Sequence, residues 1–585
     1  MSRVISAIVK FTIFAVLLGA AIWWQLSPPK VGDNLVLING TIITVDNEMS
    51  IAEAVWIKDG RIMAVGNKAD VMAQADGAST YDLDGQIVLP GLIEPHTHPF
   101  ASAMLGQAID VSGFRFNNKP AILDELNDAG TKGSGPLIAF GWDPVMVDDL
   151  DAPSMAQLNR ISRDRPVIIL TQMMHDAYAN EAAFRAAGID KDTTDPAFIR
   201  DFKGRLTGTV REVDGISQLL GALPKAPKGA LDLLLNIQLR AYAQAGYTTI
   251  GALGPSTNEG DPLGMIEGLA NRADTAVRAI VYALPEQLED AHWQPGLTTA
   301  NDRFTLRGVK FWMDGSPFAG GAAFDGPYED TPLTRERLHL PPPHNGSLNY
   351  SEVEFEALFT KYHTAGYAIA VHVQGERAVR RVLKVAERVL KAHPRPDHRH
   401  RLEHNALITK DQMARAKQMG FTLSFFVDHI YYYGHRLPEL VGDKRTARYM
   451  PLADAAQSGH RVTIHTDNPA TPIGPFRAYE TAVTRKSRRT ELPIAPDQAL
   501  DRETALRAMT INSAWQLGLD KDVGSIEVGK RADLTFVADN PLTMQADQLQ
   551  LMHVNGTWLD GQPADTRLIS LTNLTLLWSM VWANL

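Results

Sequence analysis

The chain has 585 residues, carries 57 Lys and Arg against 67 Asp and Glu for a formal net charge of -10, and contains no cysteine. That length exceeds one small core, so a large catalytic domain with at least one accessory domain is expected. The dispersed basic residues argue against a nucleic-acid partner, and the absence of cysteine excludes disulfides, thiolate nucleophiles and zinc–thiolate centres.

Residues 11–26 carry no charge and run through Trp23-Trp24 toward Pro28-Pro29. Extended back to Val4, with Lys10 able to snorkel, this stretch predicts a helix of about 35 Å at about 1.5 Å per residue, enough to cross a bilayer. Residues 1–30 therefore read as a membrane anchor; a cleaved signal peptide is the rival, because Gly19-Ala20-Ala21 offers small residues. Arg3 and Lys10 put the N-terminus in the cytoplasm and the body outside the inner membrane, which in a bacterium is the periplasm. Over 31–86, short apolar runs separated by Asn39-Gly40, Asp46-Asn47 and Asp59-Gly60 predict a small antiparallel sheet. Residues 511–565 hold a matching set of runs at 524–537 and 553–559, which suggests one β-sandwich composed of both chain ends.

Between them, in 87–510, apolar runs at 87–96, 248–253, 277–284, 306–313, 368–372, 401–404, 421–427 and 462–467 alternate with helical patterns such as 353–365 and 376–392. This alternation predicts an α/β fold, a (β/α)8 TIM barrel whose chemistry sits at the C-terminal strand ends. The stretch from about 110 to 240 is too long for one crossover and has runs of its own at 136–142 and 166–171, so it reads as an inserted lid or substrate domain.

The first barrel run ends Pro95-His96-Thr97-His98. Histidines at i and i+2 on a strand point to one side, and two neutral imidazoles there suit a divalent metal. Chance alternation of two histidines is the plainer alternative. Lys310 interrupts an apolar run; buried and charged it costs several kcal/mol, so it needs a partner such as Asp314 or Asp467, or a neutral form. His372, His404 and Asp467 end three further runs, and their recurrence at strand ends says more than any one of them.

Pro90-Gly91-Leu92-Ile93-Glu94-Pro95-His96-Thr97-His98 resembles the first barrel strand of the amidohydrolase superfamily. Gly141-Trp142-Asp143, residues 206–212 and residues 524–534 are similar to segments of its YtcJ-like branch, the amidohydrolase 3 family. The resemblance implies metal ligands at His96, His98, Lys310, His372, His404 and Asp467, with Asp467 the catalytic base toward water. It implies carbamylation of Lys310, so that the carbamate bridges two metals; Glu212 is an alternative source of that carboxylate. It further implies substrate contacts from Trp142, His175, Asp314 and Arg377, the last within an HxxGxRA motif met by His372, Gly375, Arg377 and Ala378. The chain departs from the family at Glu376, at His465 and Asn468 beside Asp467, and over 317–321.

Nitrogen and oxygen ligands suit Zn²⁺, one or two per chain, and tolerate Mn²⁺ or Fe²⁺. The expected reaction is hydrolysis of an amide-type C–N bond, N-acyl or N-formyl, in a small molecule by metal-activated water. Two other readings stay open: a mononuclear deaminase of the same superfamily, because Glu403 adjoins His404, and a non-catalytic membrane-tethered binding protein. Residues 566–585 have no charge after Arg567 and place apolar side chains three or four apart, which predicts an interfacial amphipathic helix and an amphiphilic substrate. Packing against the sandwich or against a second copy in a homo-oligomer is the alternative.

Overall fold

The computed structural model describes residues 23, 25–174, 176–190, 192–257, 260–490 and 492–585, the side chains of 212–214 excepted. The expected N-terminal anchor lies almost wholly outside these residues. Among the described residues, no helix is long and apolar enough to cross a membrane.

Eight strands, β1 (Leu92–Thr97), β2 (Tyr247–Leu253), β3 (Arg278–Ala283), β4 (Phe304–Trp312), β5 (Ala368–Val373), β6 (Arg401–His404), β7 (Thr422–Phe425) and β8 (Thr463–Ile464), form one sheet in sequence order. Every neighbouring pair is parallel. Because helices cover such a sheet from outside and side chains fill it from inside, its strands read as nearly continuous apolar runs. The edges are joined through side chains and loops: the backbone N and Oγ1 of Thr466 donate to Glu94 Oε2 at 3.1 and 2.6 Å, and His98 N donates to Asn468 O at 2.9 Å. The expected α/β barrel is therefore the observed one.

Helices follow the strands as the sequence pattern indicated. Glu376–Ala392 buries Val379, Val382, Leu383, Ala386 and Val389 at helical spacing. Glu352–Thr364 is capped by Ser351, whose Oγ accepts from Glu354 N at 3.2 Å, and it carries acidic residues in its first turn and basic ones in its last.

The run expected as a single strand over 87–96 is divided between two sheets. Ile87–Pro90 pairs with Thr41–Ile43 and Leu534–Val537 in the sandwich, and only Leu92–Thr97 enters the barrel. Gly91 makes the transition possible: its N donates to Asp533 O at 2.8 Å, and a Cβ there would sit 2.0 Å from Thr248 Oγ1.

The two chain ends share one sandwich core, in which Leu35, Leu37, Ile42 and Val55 meet Leu534, Phe536 and Trp558. Its N-terminal part is mixed rather than antiparallel. Asn34–Ile38 runs parallel to Ser79–Asp82, and Thr41–Ile43 runs parallel to Ile87–Pro90, because each return passes through intervening chain instead of a tight turn.

Between β1 and β2 the chain builds a six-stranded mixed sheet that includes Leu137–Trp142, Val167–Thr171, Asp176–Ala179 and Leu206–Arg211. It has its own core of Ile168, Leu170, Phe184, Phe198 and Val210. The helix Ala230–Gln244 then leads back to the barrel.

Candidate metal centre

The C-terminal strand ends bring together six side chains separated by up to 371 positions in sequence: His96 from β1 and His98 directly after it, Lys310 from β4, His372 from β5, His404 from β6, and Asp467 beyond β8. The ligating atoms of His96, His98 and Asp467 lie within 4.8 Å of one another. Asp467 Oδ1 is 3.4 Å from His96 Nε2 and 3.1 Å from His98 Nε2. Both His404 (φ 72°) and Asp467 (φ 55°) adopt the left-handed region, which side chains with a Cβ occupy rarely and which is concentrated at functional sites. The bend after β6 is held by Asn405, whose Nδ2 donates to Leu402 O at 2.7 Å and Ser424 O at 2.9 Å.

His96, His372 and His404 are held neutral. Burial, reinforced by Lys310 and neighbouring imidazoles, keeps His96 and His404 well below the usual histidine range, and burial brings His372 down to about 3. Burial raises the cost of an Asp467 carboxylate, but the hydrogen bond and charge from His98 outweigh it and bring Asp467 to about 2. Burial brings the Lys310 amine down to about 8 against the opposing pull of Glu403 and Asp467. Its Nζ lies 3.3 Å from His96 Nε2, and among the described residues no carboxylate reaches ion-pairing distance, so the expected pairing with Asp314 or Asp467 is not formed.

A cation fits this donor set. His372 Nε2 and His404 Nε2 are buried and, among the described residues, have no hydrogen-bond partner. Unpaired buried lone pairs are costly, and beside an ionised Asp467 they are the donors that a divalent metal would satisfy. The second nitrogens of His96 and His404 are spoken for. His96 Nδ1 lies 2.7 Å from Glu403 Oε2, which leaves Nε2 facing the site; Glu403 is also bound by Arg401, Nη2 to Oε2 at 2.9 Å. His404 Nδ1 is 3.1 Å from His465 Nε2, and His465 Nδ1 is 2.8 Å from Ser424 Oγ. His465, a departure from the family pattern, thus orients His404 although it also lies within ligating distance of His96 and His404. Such outer partners fix tautomer and basicity. Replacing Glu403 by glutamine is expected to weaken zinc binding by about 10- to 100-fold, as read by competition with a chromogenic chelator; unchanged affinity would remove Glu403 from this role.

The site opens into a cavity of about 480 Å³ lined by Phe140, Met173, Trp312, Phe426, His429 and Tyr433 together with His98, His372, His404 and Asp467, while His96 and Lys310 lie behind its wall. Gln172 clamps the inserted sheet to the loop after β8, its Nε2 donating to Pro469 O at 3.2 Å and Ala470 O at 3.0 Å. His429 packs on Phe426 and Phe318, lies 3.2 Å from Tyr449 Oη through Nδ1, and is brought by burial down to about 3. Sequence reasoning passed over His429, Tyr433 and Gln172. The first two follow β7, whose C-terminal end deserved the same scrutiny as its neighbours.

The residues expected to touch substrate are placed differently. Asp314 reaches the cavity, but its carboxylate accepts from the backbone N of Ala323, Gln374 and Gly375, each at 2.9 Å, and so clasps the β4 and β5 loops; burial raises it to about 7. Gly375 has no room for a Cβ, which would lie 2.0 Å from Ala323 O. Arg377 points away from the cavity, Nη1 donating to Asn345 O at 3.2 Å. Trp142 is fully buried and lines a neighbouring cavity of about 690 Å³ in the insertion. His175 and the Glu212 side chain lie outside the described residues.

A family model described as the amidohydrolase family matches residues 79–565. The N-substituted formamide deformylase of Arthrobacter pascens is 26% identical over 553 residues, covering 90% of this chain and 97% of that protein. The putative amidohydrolase YtcJ of Bacillus subtilis is 24% identical, over 89% of this chain and 98% of its own. Among solved structures, an uncharacterised metal-dependent hydrolase from Pyrococcus horikoshii has a TM-score of 0.71 at 23% identity, covering 88% of this chain and 99% of that one, a likeness of fold. With the family model covering the barrel, its insertion and the C-terminal part of the sandwich, the chain belongs to the amidohydrolase family.

Proposed function

We propose that the protein is a metal-dependent hydrolase that cleaves the C–N bond of a neutral N-substituted amide or formamide. The observation that carries this reading is the convergence of two unpartnered buried imidazole nitrogens with an ionised Asp467 in one largely apolar cavity. The resemblance to a formamide deformylase over 90% of the chain supports the formamide class.

His96, His98, His372, His404 and Asp467 would hold the cation, for which zinc suits the histidine-rich set, and Lys310 as a carbamate would supply a bridging negative ligand. Bound there, a divalent metal lowers the pKa of water toward about 7. Asp467, ionised at neutral pH, is placed to hold the proton given up by water and return it to the departing nitrogen. Trp312, Phe426, Tyr433 and Met173 form an apolar seat, and among the described residues no Lys or Arg lines the cavity to pair with an acidic substituent. Glu403, which kept a deaminase reading open, is engaged by His96 and Arg401 and gives that reading no support.

The test is amine release by the zinc-loaded chain from a panel of neutral N-substituted formamides and N-acyl amides, with carboxylate-bearing analogues alongside. The reading predicts turnover of apolar members and little of the charged ones. No amine release from any neutral member, with metal bound, would overturn it.

We also propose that residues 1–30 tether this body to the periplasmic face of a bacterial inner membrane. The uncharged run over 11–26 and the positions of Arg3 and Lys10 support this.

A further inference from the structure

We infer that the outward face of the C-terminal helix Leu571–Ala583 is a lipid-binding surface that lies on a bilayer. This does not depend on the catalytic reading. The helix is about 20 Å long at about 1.5 Å per residue, too short to span a membrane.

Its polarity is the reverse of what water selects for a surface helix. The inner side is held by polar contacts, with Leu576 packed on the core beside them: Asn573 Oδ1 accepts from Asn236 Nδ2 at 2.7 Å, Thr572 bonds to Asp274 and accepts from Arg272 Nη2 at 3.3 Å, and Asn584 exchanges two bonds with the Lys228 backbone at 3.2 and 3.1 Å. The outer side is mostly apolar, with Thr575 and Ser579 its polar members: Leu574, Leu577, Trp578, Val581, Trp582 and Leu585 recur at intervals of three and one, and all are exposed, Trp578 by 64% and Trp582 by 61%. No charged side chain occurs from 568 to 585. An uncharged face bearing two tryptophans suits the boundary between headgroups and acyl chains.

Two independent observations select lipid over a second copy of the chain. First, the helix begins where the apolar N-terminal stretch joins the fold: the Arg567 guanidinium donates to Gln25 O at 2.6 Å and Ser27 O at 2.7 Å while pairing with Asp565 at 2.7 Å, and Trp23 stands 61% exposed beside it. Trp23 and the start of the apolar helix therefore lie together at the surface. Second, exposed lysines stand at both ends of the helix, Lys30 lining one cavity with Leu571 and Lys228 bonded to Asn584, and they complement anionic headgroups.

The absence of cysteine permits a direct test on the full chain. Leu577→Cys carries an environment-sensitive fluorophore, with exposed Met63→Cys in the sandwich as the control, and the protein is mixed with vesicles of phosphatidylcholine and phosphatidylglycerol. The inference predicts a blue shift at position 577 on vesicle addition and quenching by lipids with brominated acyl chains, neither of which occurs at position 63. Both signals should fall when Trp578→Ser and Trp582→Ser are added, with the thermal transition unchanged. A label that stays in water while the chain floats with vesicles would overturn the inference. So would a blue shift already present without lipid, because the face would then be covered by protein.

Discussion

Replacing Asp467 by asparagine is expected to lower kcat by about 10²- to 10⁴-fold, the range in which a positioned acid–base group acts. The geometry makes this a change of charge rather than of shape: Asp467 Oδ1 stands within 3.1 Å of His98 Nε2 and 3.4 Å of His96 Nε2, and the amide keeps the same volume. What it loses is the carboxylate that the surrounding charges hold ionised down to about pH 2. The measurement is steady-state kinetics on the best amide or formamide substrate, with bound metal determined on the same sample. A rate within threefold of wild type at equal metal occupancy would assign the proton transfer to another group.

Replacing Lys310 by alanine is expected to remove at least one metal equivalent and nearly all activity. The amine is fully buried, unpaired with any carboxylate among the described residues, and brought down to about 8, so a sizeable neutral fraction exists just above neutral pH. Only the neutral amine adds carbon dioxide. Metal uptake by chelator-stripped wild type should therefore need bicarbonate and should be faster at pH 9 than at pH 7, whereas the alanine variant should show neither dependence. Uptake indifferent to bicarbonate in the wild type would mean that Lys310 acts as an amine and that a bridging carboxylate has another source.

The barrel was legible because parallel strands buried on both faces leave long apolar runs that helical periodicity interrupts. His96, His98, His372, His404 and Asp467 stood out since each ends such a run, where a barrel exposes side chains at its mouth. Other features had no such signal. The division of 87–96 at Gly91 depends on the approach of Thr248 from a distant strand, which no local pattern encodes. Trp142 and Arg377 sit in conspicuous segments, yet packing directs one into the main core and the other toward residue 345. His465 read as a departure that clouded the pocket, because its partnership with His404 and Ser424 exists only once β6, β7 and β8 are adjacent.

The C-terminal helix shows the same limit at the surface. Its apolar spacing was plain in the sequence, but which side faced inward was decided by Asn236, Asp274 and Lys228, contributed from more than 290 residues away. Polar contacts took the inner side and left the tryptophans outside.

The account rests on a cation at the meeting point of these strands, and the most direct measurement is elemental analysis of the full-length chain purified with zinc and bicarbonate. It predicts one or two divalent metal ions per chain, released by chelation together with activity. A folded chain that binds no metal under those conditions would contradict it.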